Sequence, residues 1–232
     1  MITEMIEGFV YKEALSIYEK FICAATCFYL VGLAFLEVSG KHLQYSKFSN
    51  SGIPSKIGML IIYTPALFAG VASFWIFPGG GIRFLMLKSA VTIHFLKRDL
   101  EVLFLHKFSG FFGVESAVII AATYFTAAAG FVYFHHQTEG LPEPSVDLKK
   151  NNNKGYDIPR GGLFNLVICP HYLFEITTFV GFSFISQTIF TYVCALGVAL
   201  YLSARSYATR KWYVSKFENF PNNVKALIPY VF

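Results

Sequence analysis

Apolar positions along the chain gather into long windows with short polar breaks, and each window has the length a helix needs to cross a bilayer, about 20 residues. The first covers about residues 17–38, around "FICAATCFYLVGLAFLEV". The second, about 57–77, reads "IGMLIIYTPALFAGVASFWIF" and contains Pro65, whose ring and missing N–H disturb a helical ladder. A third runs over about 82–106 and a fourth over about 111–134, "FFGVESAVIIAATYFTAAAGFVYF". After a polar interval come a fifth, about 168–187, and a sixth, about 188–208. These last two are separated by little beyond Ser186 and Gln187, so a tight hairpin or one broken helix is expected there. The pattern predicts an all-α, polytopic membrane helix bundle with about six spans.

Composition agrees. The 232 residues are 55% hydrophobic and only 14% charged, with a mean hydropathy of +0.51, whereas soluble domains carry roughly a quarter charged residues. The length suits a single membrane-embedded domain over 1–232. The opening "MITEMIEGFVYKEALSIYEK" is mixed in charge, and no signal peptide is expected from it. The net charge of +5 is spread between apolar segments instead of forming one solvated face, which argues against a nucleic-acid partner. Cys23 and Cys27 sit one turn apart in an apolar segment, with Cys169 and Cys194 far downstream. That spacing suits packing residues better than zinc or a disulfide framework.

Charge also exposes a conflict in the count of spans. The segment after the first window carries Lys41, Lys47 and Lys56 against Glu37. The C-terminal tail carries Arg205, Arg210, Lys211, Lys216 and Lys225 against Glu218. Both read as cytoplasmic, yet five crossings would separate them if every later window spanned. The interval "HHQTEGLPEPSVDLKKNNNKGYDIPRGG", about 135–162, is long and structureless enough to argue against its own assignment. It is either a flexible solvated loop or the place of a missing spanning helix.

The third window holds the densest chemistry, "HFLKRDLEVLFLHKFSG". His94, Lys97, Arg98 and Glu101 fall at i, i+3, i+4 and i+7, one helical stripe. An ionisable group at membrane depth costs about 2.5–3.5 kcal/mol or more, so the stripe is expected to face a polar cavity. The alternative is an interfacial segment whose Lys and Arg snorkel and pair with Asp99 and Glu101. A cavity lined by Arg and Lys suits an anionic ligand such as a phosphorylated cofactor. In "GLFNLVICPHYLFEITTF", His171 and Glu175 stand at i and i+4 with no third ligand at metal spacing, which favours a hydrogen-bonding pair over a metal site. "GGG" at 79–81 lacks the Lys-Ser/Thr ending of a phosphate loop and reads as a turn. Arg205 and Tyr213 fall near the cytoplasmic end of the last helix.

The segments "YDIPRGGLF", "CPHYLFE" and "RKWYVSKFENFPNNVKALIPYVF" together resemble the C-terminal domain of the steroid 5α-reductase family. "HFLKRDLEVLFLHKFSG" is similar to the matching segment of the related very-long-chain trans-2-enoyl-CoA reductases, and "GKHLQYSKF" resembles the family's first cytoplasmic loop. The family signature then covers about 82–232. The resemblance implies a seven-helix bundle in the endoplasmic reticulum membrane that uses NADPH to reduce a carbon–carbon double bond conjugated to a carbonyl. The implied substrate is a lipid, either a 3-oxo-4-ene steroid or a 2-enoyl-CoA, and the implied neighbours are membrane lipids and enzymes of fatty-acid elongation or the sterol pathway. By position it implies cofactor contacts at Arg98, Tyr156, His171, Glu175, Arg205 and Tyr213, of which Glu175 and Tyr213 match best. His171 stands where steroid reductases usually carry an asparagine. The family's catalytic glutamate, two residues before a proline, is replaced by Tyr63, and its catalytic tyrosine by Phe95. A phenol donates to a developing oxyanion, which makes Tyr63 the candidate catalytic residue. Near 148–155, "KKNNNK" stands where the family has a further helix with cofactor contacts. That difference gives the competing expectation, a non-catalytic or truncated homologue lacking part of the cofactor site.

Overall fold

The computed structural model describes residues 10–45, 48–49, 51–142, 144, 169–216 and 224–228. Six helices stand among them: α1 (Ile17–Val38), α2 (Ser55–Ile76), α3 (Ile82–Leu100), α4 (Val114–His136), α5 (Pro170–Ser186) and α6 (Ile189–Lys216). A π turn, Glu101–Leu105, continues α3, and two short strands, β1 (Ile53–Pro54) and β2 (Phe111–Phe112), precede α2 and α4. A capping box starts α1: the Ser16 hydroxyl accepts from the Glu19 N–H at 3.3 Å, and the Glu19 carboxylate accepts from the Ser16 N–H at 2.7 Å. The junction at Ser186 and Gln187 forms two helices, and Gln187 takes a left-handed conformation at φ 52° between them.

Helices α1, α2, α4 and α6 are long and apolar enough to cross a membrane, which makes the chain a multi-pass membrane protein. Phe28, on α1, leaves 78% of its surface exposed, the pattern of a lipid-facing ring rather than a watery one. Two of the six expected spans do not meet the same standard. Helix α3 carries Arg83, Lys88, Lys97, Arg98 and Asp99. Helix α5 has 17 residues, about 25 Å at the usual rise.

The chain divides into two compact units, one formed by Met1–Lys41, Pro142–Gly181 and Tyr192–Phe232, the other by His42–Leu141 and Phe182–Thr191. In the second unit α2 packs on both α3 and α4. Strands β1 and β2 pair antiparallel, Ile53 opposite Phe112 and Pro54 opposite Phe111, which fixes the N-terminal ends of α2 and α4 at one level. Further along, Tyr63 meets Tyr124 and Phe77 meets His136, so the two helices run parallel. Helix α3 returns between them, with Thr64 against Asp99 near one end and Phe77 against Phe84 near the other.

Phe112 anchors the strand end of this unit. It is fully buried, stacks on Tyr45 at 5.2 Å, and packs with Ile62 and Ala117. A Cβ on Gly58 would stand 2.5 Å from its ring, so only glycine lets α2 come this close. Lys88 explains itself at the opposite end. It is 2% exposed, and its ammonium donates to the carbonyls of Phe77 and Gly79 at 2.7 and 3.3 Å, over the ring of Phe84. A cation there satisfies orphan carbonyls at the end of α2. The same end carries a polar knot in which Arg83 donates to the Gln187 side chain and His135 Nδ1 donates to the Ser186 carbonyl at 3.1 Å. The Gln187 N–H donates to the Ser183 carbonyl at 2.7 Å and closes the turn.

In the first unit, α1 and α6 touch at two levels: Gly197 lies against Leu30, and Arg205 against Glu37. Both sets of numbers rise together, so the two helices are parallel. The expected missing helix near 148–155 lies outside the described residues.

Two parallel spans, α2 and α4, oblige the chain to recross between them, and α3 is the helix that does so despite its charges. Cysteines placed singly at Gly79 and Lys107 in a cysteine-free background should react with a membrane-impermeant thiol reagent from opposite sides of sealed vesicles. Labelling of both from one side would contradict the crossing of α3.

Candidate active site

The charged stripe of α3 separates on folding. Lys97 keeps 62% of its side chain exposed, whereas Arg98 and Glu101 keep 18% and 17%. Both cations bind the same carboxylate, Lys97 at 3.2 Å and Arg98 at 3.3 Å. His94 is half-buried with its ring perpendicular to those of Phe95 and Phe182. Lys97 thus points outward with its charge on Glu101, and Arg98 is largely enclosed. Asp99, expected as a snorkelling partner, turns instead to α2, where its carboxylate accepts from the Thr64 hydroxyl at 3.1 Å. It is 7% exposed, and among the described residues its other oxygen meets no hydrogen-bond donor.

Arg98 reaches across to Tyr63, its guanidinium carbon 5.9 Å from the centre of the phenol ring, within the range of a cation–π contact. Tyr63 and Thr64 immediately precede Pro65 inside α2, where the imide takes one bond from the ladder. The ring of Tyr63 meets that of Tyr124, on α4, at 5.5 Å. Phe95 is fully buried and presents its edge to Tyr124 at 5.6 Å. The structure therefore brings Tyr63 and Arg98 together, with Glu101, Phe95 and Tyr124 around them. A phenol beside a guanidinium in apolar surroundings is chemically a hydrogen-bond donor whose developing negative partner is stabilised by nearby positive charge.

The other expected residues belong to the first unit. Glu175 is buried on α5, and His171, in the first turn of that helix, is exposed with its ring 4.2 Å from Tyr172. Their i, i+4 spacing thus gives one inward and one outward side chain. Tyr213 is half-buried, edge-on to Trp212 at 5.1 Å. The tail docks nearby, Arg210 Nε donating to the Val224 carbonyl at 3.0 Å. Tyr156 lies outside the described residues.

Arg205 is 1% exposed and is gripped by Glu37, equally buried, through Nη1 bonds of 2.8 and 3.0 Å. The Tyr201 hydroxyl donates to the same carboxylate at 3.4 Å. Glu37 read as part of a cytoplasmic loop in the sequence and is instead the buried counter-ion of a candidate cofactor ligand. Its signal was there: a lone carboxylate closing an apolar window, with only basic residues beyond it.

A family model described as 3-oxo-5-alpha-steroid 4-dehydrogenase matches residues 99–232, more than half of the chain. The chain belongs to the 3-oxo-5-alpha-steroid 4-dehydrogenase family. Within this family it is similar to steroid 5-alpha-reductase DET2 of Gossypium hirsutum, 43% identical over 93 residues, which cover 38% of the chain and 34% of that relative. The corresponding DET2 protein of Arabidopsis thaliana is 41% identical over 93 residues, 38% of the chain and 34% of the relative. 3-Oxo-5-alpha-steroid 4-dehydrogenase 1 of Macaca fascicularis is 37% identical over 86 residues, 37% of the chain and 33% of the relative. The matched stretch thus spans about a third of the length of these relatives. Of the loci described above, the family match takes in Asp99, Glu101, Tyr124 and all the candidate residues on α5 and α6, and it begins just after Arg98.

The buried Glu37–Arg205 pair makes a stability prediction. Removing one partner of such a pair leaves an uncompensated charge and costs about 3–5 kcal/mol. Glu37→Gln should lower the thermal midpoint of the detergent-solubilised protein strongly, and Glu37→Gln with Arg205→Met should lose much less than the sum of the two single changes. An additive double variant would show that the two groups do not act as a pair.

Proposed function

We propose that the chain reduces a carbon–carbon double bond conjugated to a carbonyl in a lipid, with NADPH as reductant, in the endoplasmic reticulum membrane. The family membership supports the reaction class, and the relatives' names favour a 3-oxo-4-ene steroid over a 2-enoyl-CoA as substrate. The observation that carries the reading is the ring of Tyr63 facing the guanidinium of Arg98 beside the apolar cluster of Ile62, Phe112 and Ala117. In this account Tyr63 donates a hydrogen bond to the substrate's carbonyl oxygen, and Arg98 stabilises the negative charge that grows there. Phe95, Ile62 and Phe112 keep water from the reacting carbons.

The donor set suits a phosphorylated nicotinamide. Lys97 and Arg98, two cations against the single carboxylate of Glu101, leave one positive charge for a phosphate. On this reading the surplus charge at the end of α3 is what the phosphates meet, and Glu175, Tyr213 and His171 are proposed cofactor contacts of the first unit on the family's pattern alone. When bound, NADPH supplies the hydride that the β-carbon accepts. Arg205 contributes no net charge, because Glu37 already neutralises it.

That neutralisation favours a second reading, a homologue with a weakened cofactor wall. The sequence between α4 and α5, residues 137–169, has no apolar window of spanning length, which points the same way.

Purified protein supplied with NADPH should reduce a 3-oxo-4-ene steroid, and Tyr63→Phe should slow turnover by roughly 10²–10³-fold, the usual loss of one oxyanion donor. Absence of turnover on both a 3-oxo-4-ene steroid and a 2-enoyl-CoA would favour the second reading. Parent-like turnover by Tyr63→Phe would remove Tyr63 from the chemistry.

A further inference from the structure

We propose that Asp99 is a positioning residue for Tyr63: by holding the Thr64 hydroxyl from α3, it fixes the turn of α2 that presents the phenol to Arg98. The inference rests on the reductase reading and adds to it the residue that sets the direction of the donor. Three observations carry it. First, this turn of α2 needs a tether. Pro65 lies inside the helix and has no N–H to offer the Ile61 carbonyl, so Tyr63 and Thr64, just before it, stand where a helix is free to bend.

Second, Thr64 sends its hydroxyl away from its own helix. Thr92, Thr123, Thr126, Thr177 and Thr178 each donate to the carbonyl four residues earlier, at 2.7–3.0 Å. Thr64 donates instead across to α3, to the Asp99 carboxylate at 3.1 Å. This contact and the neighbouring one use consecutive residues of the same two helices, Tyr63 with Arg98 and Thr64 with Asp99. Successive helical residues differ in direction by about 100°, so a bond made by Thr64 fixes where the ring of Tyr63 points.

Third, Asp99 is a costly residue to keep for packing alone. It is 7% exposed, and among the described residues its other oxygen meets no donor. The neighbouring cations, Lys97 and Arg98, bind Glu101. An apolar side chain would fill this place at lower cost. What the carboxylate contributes is an acceptor for Thr64. Asp99 thus acts through Thr64 and the backbone of α2, and the hydrogen bond to the substrate's carbonyl oxygen is made by Tyr63. A reacting group displaced by about 1 Å loses roughly 10²-fold in rate, which is the scale on which such a tether matters.

The test follows Tyr63 itself as well as turnover. A 3-fluorotyrosine placed at Tyr63 reports its surroundings through the fluorine resonance of the detergent-solubilised protein, and Arg98→Met marks the shift that accompanies loss of the guanidinium. Thr64→Val and Asp99→Leu should each move or broaden the signal. Asp99→Asn, whose amide oxygen still accepts from Thr64, should leave it in place. On a 3-oxo-4-ene steroid with NADPH, Thr64→Val should lower kcat about tenfold or more, with the KM for NADPH and the thermal midpoint unchanged, and should add little in a Tyr63→Phe background. An unmoved fluorine signal in Thr64→Val, or an undiminished loss of turnover in the Tyr63→Phe background, would overturn the positioning role. A signal that moves as expected in a protein whose parent has no turnover would sustain the tether and sink the reductase reading alone.

Discussion

A charge in hydrocarbon costs several kcal/mol unless something answers it, and that constraint orders this molecule from end to end. Glu37 answers Arg205, Glu101 answers Lys97 and Arg98, and the last carbonyls around α2 answer Lys88. Arg83 is answered by the Gln187 side chain at the turn between α5 and α6. Lys88 and Arg83 tie α3 to the end of α2 and to the turn between α5 and α6, so ionisable groups that make α3 a poor membrane span by composition also hold it in the bundle. The helix is polar because it lies against partners, and its lipid side stays apolar, with Leu96 and Leu100 exposed.

The same constraint sorts the candidate cations by use. Arg205 stands fully neutralised by one carboxylate, whereas the end of α3 sets two cations against one. A ligand that brings negative charge is therefore better received at the end of α3, and Arg205 is better suited to holding α6 against α1.

Much of this was legible beforehand. The window read as 17–38 coincides with α1, and the second and fourth windows fall within two or three residues of α2 and α4. The third window reaches residue 106 in the sequence, whereas α3 ends at Leu100 and Glu101–Leu105 form the π turn after it. Strands β1 and β2 are two residues each, too short for any period to show. Within the site, Tyr63 and Arg98 were both named from sequence, but not that they meet. Asp99 was misplaced because it flanks a stripe about 100° wide, where neighbouring helices decide which way a side chain turns. Tyr124 sits in "AATYFTAAAG", where large residues stand out among small ones, but its contact with Tyr63 depends on a facing helix that the sequence does not place. The Glu37–Arg205 pair spans 168 positions, and no local pattern links its ends.

We propose that the excess positive charge at the end of α3 receives the cofactor. Equilibrium titration of the purified protein with NADPH, followed by calorimetry at low and moderate salt, measures this most directly. Saturable one-to-one binding that weakens with salt is expected, with a loss of about tenfold or more in Arg98→Ala, as for a charged hydrogen bond. Binding that is indifferent to Arg98→Ala, or no binding at all, would contradict it.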